Sequence, residues 1–408
     1  MREKLKLHCD VISGYAFSSS DWKEEGIPVI KIGNISNGSD IDCDELQYVD
    51  EFFLDKLDPK YHISNGDILV SLTGSHINQP NSMVGRSCRS LTEKKYLLNQ
   101  RAGKVIPFDN TDKNYLYYLL STKAIKYDIA NRAYGGANQV NVSPSDIKNI
   151  KWEFPLIKKQ RKISGILSKY DELIQNNNKR IIQLEGVAQE LYREWFVRFR
   201  FPGHKNTKFE DGIPEGWEQD KIQKYYNTCS GGTPSRSKPE YFENGVYPWV
   251  KTGEIKDCVI IDTEEYITQE AVNSSSAKVL PAKSVAMAMY GVNIGLLAYF
   301  DSEMTCNQAC CVFSDKRDFS SKHYLYYYLK SIREYLLLIS FGAAQQNLSQ
   351  DLIKKIKITM PSDDIVQAFE KQIDDVYDSI RILLMKNKNL AEQRDMLLPR
   401  LMSGKLEV

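Results

Sequence analysis

The sequence predicts an α+β protein made twice over. Two similar mixed α/β domains are separated by two long helices that pair as an antiparallel coiled coil, giving an internal pseudo-two-fold. Three observations carry this expectation. Two stretches far apart in the chain keep a heptad spacing, each of them has one asparagine near its middle, and five segments of the first half return in the same order in the second.

The first seam is Ile163, Leu167, Tyr170, Ile174, Asn177, Ile181, Leu184, Ala188, Leu191 and Trp195, at alternating steps of four and three. The second is Phe369, Ile373, Val376, Ile380, Leu383, Asn387, Leu390, Arg394 and Leu397. If the helices run antiparallel and Asn177 faces Asn387, the apolar layers match on both sides. Ile181 then meets Leu383, Leu184 meets Ile380, Ala188 meets Val376, Leu191 meets Ile373 and Trp195 meets Phe369. In the other direction Ile174 meets Leu390, Tyr170 meets Arg394 and Leu167 meets Leu397. A buried amide without a mate costs stability, which favours this register. At about 1.5 Å per residue the paired seam is roughly 50 Å long.

The repeat is read from five pairs. "PVIKIGNI" from Pro28 returns as "PWVKTGEI" from Pro248, and "GDILVSLTG" ending at Gly74 returns as "KSVAMAMYG" ending at Gly291. "LNQ" at Leu98 returns as "CNQ" at Cys306, and "YLYYLL" from Tyr115 as "YLYYYL" from Tyr324. The last pair, "YGGANQVNVSPSDIKNIKWEFP" and "FGAAQQNLSQDLIKKIKITMP", ends at Pro155 and Pro361, and a long helix opens after each. The expected boundaries are therefore 1–155 for the first domain, 156–201 for the central helical region, 202–361 for a linker and the second domain, and 362–408 for the terminal helical region. Within the first domain, strands are expected at Val29 to Ile32, Ile68 to Leu72 and Lys104 to Pro107. A helix follows around Tyr115 to Ile129, then a glycine-rich loop and a serine-capped turn between Tyr134 and Ile147. The tyrosine repeats read as packing residues.

The chain has 408 residues, enough for two or three cores, and 42% apolar and 26% charged residues, ordinary for a globular protein. No apolar run of about 18 residues and no signal-peptide pattern occurs, so no membrane association and a cytoplasmic location are expected. Eight irregularly spaced cysteines read as free thiols, with Cys306, Cys310 and Cys311 as buried strand residues. The net charge of +1 neither demands nor forbids a polyanionic partner. Its distribution is uneven, basic from Arg86 to Lys104 and acidic from Asp40 to Asp58.

Catalytic motifs are missing. There is no Asn/Asp-Pro-Pro-aromatic tetrapeptide for methylation of a base amino group, no phosphate loop and no metal-nuclease pattern, and Ser19, Ser71 and Ser230 lie outside any nucleophile elbow. No cofactor or metal is expected in this chain, and it reads as non-catalytic.

The repeated loops instead carry donors suited to bases and phosphates. In the first domain these are Lys31, Asn34, Ser71, Thr73, Ser75, Arg86, Arg101, Tyr134, Asn138 and Asn141. In the second they are Ser230, Thr233 and Arg236 of "SGGTPSR", with Lys251, Tyr290, Asn293, Gln345 and Gln346. For each, a solvated, turn-stabilising role is the competing reading. Trp195, Phe196 and Phe199 close the central helix onto a domain or onto a partner protein. A pseudo-two-fold object suits duplex DNA read at two places, although a scaffold for two identical subunits fits the same geometry.

At this point the chain resembles the specificity subunit of type I restriction-modification systems. The resembling pieces are "KISGILSKYDELIQNNNKRIIQLEGVAQELYREWFVRF" from Lys162 to Phe199, "PEGWE" from Pro214, "SGGTPSR" from Ser230 and "QRDMLLPRLMSGKLEV" from Gln393. No Gly-Trp pair precedes Cys9, in contrast to Gly216-Trp217 of the second copy. The resemblance implies two target recognition domains, each reading one half of a bipartite, asymmetric site in double-stranded DNA. The helical regions would set the gap and bind two modification subunits, which carry S-adenosylmethionine and methylate adenine. Two restriction subunits using ATP and Mg would complete a cleaving complex, and a methylation-only complex is the variant.

Overall fold

The computed structural model describes residues 2–36, 40–43, 45–76, 83–136, 139–340 and 347–408. The chain divides into two compact units, Met1–Ile174 with Asn389–Val408, and Gln175–Lys388.

In the first unit an antiparallel sheet has the spatial order Cys9–Ser13, Ala102–Pro107, Ile68–Ser71, Ser87–Arg89. The strand Ile68–Ser71, apolar through Val70, is buried along its whole length, as expected of a strand covered on both faces. A second sheet runs Trp22–Lys23, Gln47–Val49, Ile27–Ile30, Tyr96–Leu98, His62–Ile63, and its Ile27–Ile30 and Tyr96–Leu98 strands are parallel. The Ile27–Ile30 strand stops before Lys31, short of the expected Ile32, because Lys31 caps the 3-10 turn Ile32–Asn34. The expected helix from Tyr115 to Ile129 is two helices, Lys113–Ser121 and Lys123–Arg132. Thr122 between them is extended. Its hydroxyl donates to Leu119 O at 2.7 Å and accepts from Ile125 N at 3.4 Å, so one threonine ends one helix and caps the next.

In the second unit the larger sheet has the order Tyr226–Ser230, Cys310–Asp315, Val285–Ala288, Leu297–Phe300, Cys258–Ile260. A smaller sheet contains Tyr266–Ile267, Tyr247–Val250 and Thr305–Cys306, the last two parallel. The repeat extends to the pairing register. Ser71 stands opposite Ala102 as Ala288 stands opposite Cys310, and Ile30 lies beside Leu98 as Val250 lies beside Cys306. In both copies an early strand pairs with the last one, Glu3 with Trp152 and Asp220 with Ile358. A one-residue slip would turn every side chain to the other face, so a shared register means a shared core.

Two long helices follow the repeats, Ile157–Tyr192, continued by the π-helical turn Arg193–Val197, and Asp363–Met402. Every residue of both seams is buried or half-buried. Within the second unit Asn177 Nδ2 donates to Asn387 Oδ1 at 2.8 Å. Ile181, Ile380 and Leu383 form a cluster with Leu184 and Val376, and Ala188 and Trp195 share a core with Ile373 and Phe369. Within the first unit Leu167 shares a core with Leu397, Leu401 and Met402. Positions falling along one helix thus meet positions rising along the other, so the pair is antiparallel. Where the layer rule sets Arg394 against Tyr170, the guanidinium reaches Asp171 instead, with Nη1 at 2.6 Å from Oδ1. Asp171 is only 5% exposed. Its other oxygen takes Arg89 Nη2 and the Tyr118 hydroxyl, each at 2.6 Å.

Candidate nucleic-acid interface

The donors expected in the first domain fall into two groups. Asn34 is buried: its amide oxygen accepts from Lys31 N at 2.9 Å and its Nδ2 donates to Asp42 O and Glu45 O. Ser71, Thr73 and Ser75 are also buried. Ser71 Oγ accepts from Arg86 N at 3.0 Å, and Thr73 Oγ1 donates to Asn141 Oδ1 at 2.7 Å. These side chains hold the loops together, because a buried hydroxyl or amide left without a partner is costly. Arg86 is half-buried and reaches Ile32 O at 3.3 Å, and burial lowers its pKa.

The second group faces solvent. Tyr134 is 63% exposed on a hairpin of Tyr134–Gly136 with Gln139–Asn141, directly across from Asn141. The strand pairing needs Gly135, whose φ is +148° and whose added Cβ would lie 2.5 Å from Gln139 O. Arg101 is exposed, and Lys31 is half-buried with Nζ 2.8 Å from Gln47 Oε1. Asn138 lies outside the described residues.

In the second domain Ser230 accepts a hydrogen bond from Gln350, and exposed Thr233 donates one to Gln308. The intervening glycines are required by close approach, since a Cβ on Gly231 would fall 1.9 Å from Cys306 O. Arg236 Nη1 donates to Glu265 Oε2 at 2.6 Å, and Lys251 Nζ lies 2.8 Å from Glu264 Oε2 and 3.1 Å from Glu265 Oε1. Asn293 ties Thr252 O and Ile255 O together, while Tyr290 is exposed. Gln345 and Gln346 lie outside the described residues. Trp195 and Phe196 are buried in the core of their own unit with Phe369 and Tyr324, so this chain's own domain covers them. Phe199 is half-buried against Phe209 and Trp217.

Sequence reasoning missed the side chains that hold the cations, Gln47 in one domain and Glu264 and Glu265 in the other. The signal was the match of "QYV" at Gln47 with "EYI" at Glu265, which sit at the same place in the repeat. Cys306, Cys310 and Cys311 are buried, and among the described residues no group of three or more His, Cys, Asp or Glu side chains could hold a metal ion. Among those residues, too, no helix is long and apolar enough to cross a membrane.

The type I restriction modification DNA specificity domain matches this chain twice, over residues 4–186 and 214–392. The chain belongs to this family. It is accordingly the DNA-recognition subunit of a type I restriction-modification system, a non-catalytic role, and membership implies double-stranded DNA and methyltransferase and restriction subunits as partners. Among similar proteins, the type I restriction enzyme MjaIX specificity subunit of Methanocaldococcus jannaschii is 27% identical over 317 residues, covering 76% of this chain and 73% of that protein. The HindI specificity subunit of Haemophilus influenzae is 25% identical over 478 residues, covering 95% and 100%. The fold is shared with the crystal structure of a type I restriction-modification system S subunit from M. genitalium, at a TM-score of 0.52 and 16% identity over 98% of this chain and 96% of that one.

Proposed function

We propose that this specificity subunit reads a bipartite, asymmetric DNA site, the first domain taking one half and the second the other. One observation carries the reading: the two domains share strand pairing and register while their exposed polar side chains differ, Arg101, Tyr134 and Asn141 in one against Thr233, Arg236 and Tyr290 in the other. A common framework with different donors is what two different half-sites require. Lys31 and Lys251 join these sets, and Asn138, Gln345 and Gln346 remain candidates. The buried Asn34, Ser71, Thr73 and Ser75, with half-buried Asn293, Arg86 and Ser230, act by shaping the loops. The helical regions set the gap between the half-sites and recruit two modification subunits, with S-adenosylmethionine bound in those partners and Phe199 among the contact candidates. Two restriction subunits supply the ATP- and Mg-dependent cleavage.

The test is to map methylated adenines genome-wide with the native chain and with chains whose residues 1–155 or 202–361 come from a relative. Each exchange is expected to change one half of the motif and to leave the other half and the gap intact. An exchange that altered both halves together would overturn the modular reading.

A further inference from the structure

The exposed surface of the second domain carries an arginine held between aromatic rings and a carboxylate. The Arg236 guanidinium carbon lies 4.4 Å from the centroid of the Phe242 ring and 5.0 Å from that of Trp249, and the side chain is 53% accessible. Nη1 is fixed by Glu265 at 2.6 Å. Among the described residues, Nε and Nη2 make no hydrogen bond. The same carboxylate takes Lys251 through its other oxygen at 3.1 Å. An ion pair this exposed contributes little to folding. Two rings beside the guanidinium and a carboxylate on Nη1 do, however, restrict its motion before any ligand arrives.

The first domain carries the same position in another form. Tyr48 faces Pro28 as Tyr266 faces Pro248, so Gln47 and Glu265 are equivalent, as are Lys31 and Lys251. Lys31 donates to Gln47 Oε1 at 2.8 Å and lies 5.1 Å from the Trp22 ring. A cation beside an indole, steadied by the side chain at the 47/265 position, is thus built in both copies from different residues. The difference is charge. Gln47 is neutral, and among the described residues no carboxylate pairs with Lys31, whereas Glu264 and Glu265 offset the charges of Lys251 and Arg236.

Resting on the reading that each domain takes one half-site, we propose that Arg236 reads a guanine in the second half-site and that Glu265 is its positioning residue. A planar fork with an unused edge matches guanine O6 and N7, the acceptor pair that arginine engages in the major groove. Local neutralisation by Glu264 and Glu265 weakens attraction to phosphate and leaves geometry to select the contact. At the equivalent place in the first domain, Lys31, held by the neutral Gln47, meets a phosphate.

The experiment uses the full chain assembled with its modification subunits. Once the methylated motif is mapped, binding is measured to duplexes carrying that motif and every single-base change in it, at several salt concentrations. R236K keeps the charge and loses the fork, and is expected to reduce discrimination at one G·C pair of the second half-site by on the order of tenfold or more. E265Q places there the residue type that the first domain uses. It is expected to relax the same base pair and to steepen the salt dependence by about one unit of log slope as Arg236 is freed toward phosphate. Q47E is expected to lower the salt slope by about one, with first half-site discrimination unchanged. The proposal is overturned if R236K and E265Q leave discrimination at every base unchanged, or weaken all duplexes equally, or only lower the melting temperature. A native complex without any two-part motif would instead overturn the half-site reading itself.

Discussion

Asn177 Nδ2 donates to Asn387 Oδ1 at 2.8 Å, and Asn387 Nδ2 passes the chain of hydrogen bonds on to Asn178 Oδ1 at 2.7 Å. Apolar heptads mesh in several registers, and a polar pair is satisfied in only one. Replacing Asn177 alone by leucine takes the donor from Asn387 Oδ1 and is expected to cost about 1 kcal/mol. The double change N177L/N387L should recover that stability while loosening the register. Thermal melting reads the first effect. Disulfide trapping of cysteines placed one heptad apart on the facing helix reads the second.

Asp171 is the only carboxylate shared by Arg89 and Arg394 among the described residues. Removing it leaves buried Arg89 without a carboxylate among the described residues and Arg394 with Asp395 alone, and breaking a buried pair costs about 3–5 kcal/mol. D171A should therefore raise amide exchange over Lys113–Ser121, whose Tyr118 also bonds to Asp171, by on the order of a hundredfold or more. Unchanged exchange there would refute the role assigned to this carboxylate.

The Cys9 thiol is fully buried and donates to Leu5 O at 3.6 Å; burial, reinforced by Asp10, pushes it up to about 12 from an ordinary 9. The folded chain therefore holds a proton that the unfolded chain releases between about pH 9 and 12, and stability falls as pH rises through that window. The contribution of Cys9 is present in full below pH 9. Its loss is on the order of 1 kcal/mol per pH unit. C9A should flatten the fall in melting temperature above pH 9 relative to the native chain, and an unaltered slope would refute it.

A Cβ on Gly231 would meet Cys306 O, a backbone atom that cannot move aside, whereas one on Gly253 meets nothing within 4 Å. G231A is expected to displace the "SGGTPSR" loop and weaken binding at the second half-site, at a cost of about 1–3 kcal/mol. G253A should be near neutral. Comparing the two variants for DNA binding and melting separates loop displacement from a general effect of adding a methyl group.

The seams were legible because heptad spacing reports a helix partner directly, and the repeat because Pro28, Gly74 and Tyr115 each have a counterpart in order. The break at Thr122 was not, since a threonine inside an apolar helical pattern does not reveal whether its hydroxyl caps. Nor was the division of the polar loop residues. Ser71 and Tyr134 look alike as donors in sequence, and only the pairing of Ile68–Ser71 deep in a sheet and of Tyr134 in an exposed outer strand separates them. The partners of the cations were hidden for another reason. Gln47 is 16 residues from Lys31 and Glu265 is 29 from Arg236, so they are brought together by strand pairing and not by local spacing.

Leu401 and Met402 lie in the same core as Leu5 and Ile68. The first unit therefore cannot finish its own interior until residues 401 and 402 have been made. At translation rates of about 5–20 residues per second, its apolar surface waits on the order of ten seconds or more for those two side chains. A chain stopped anywhere before the terminal helix presents an unfinished first unit to the cell's quality control, however well its early strands have paired.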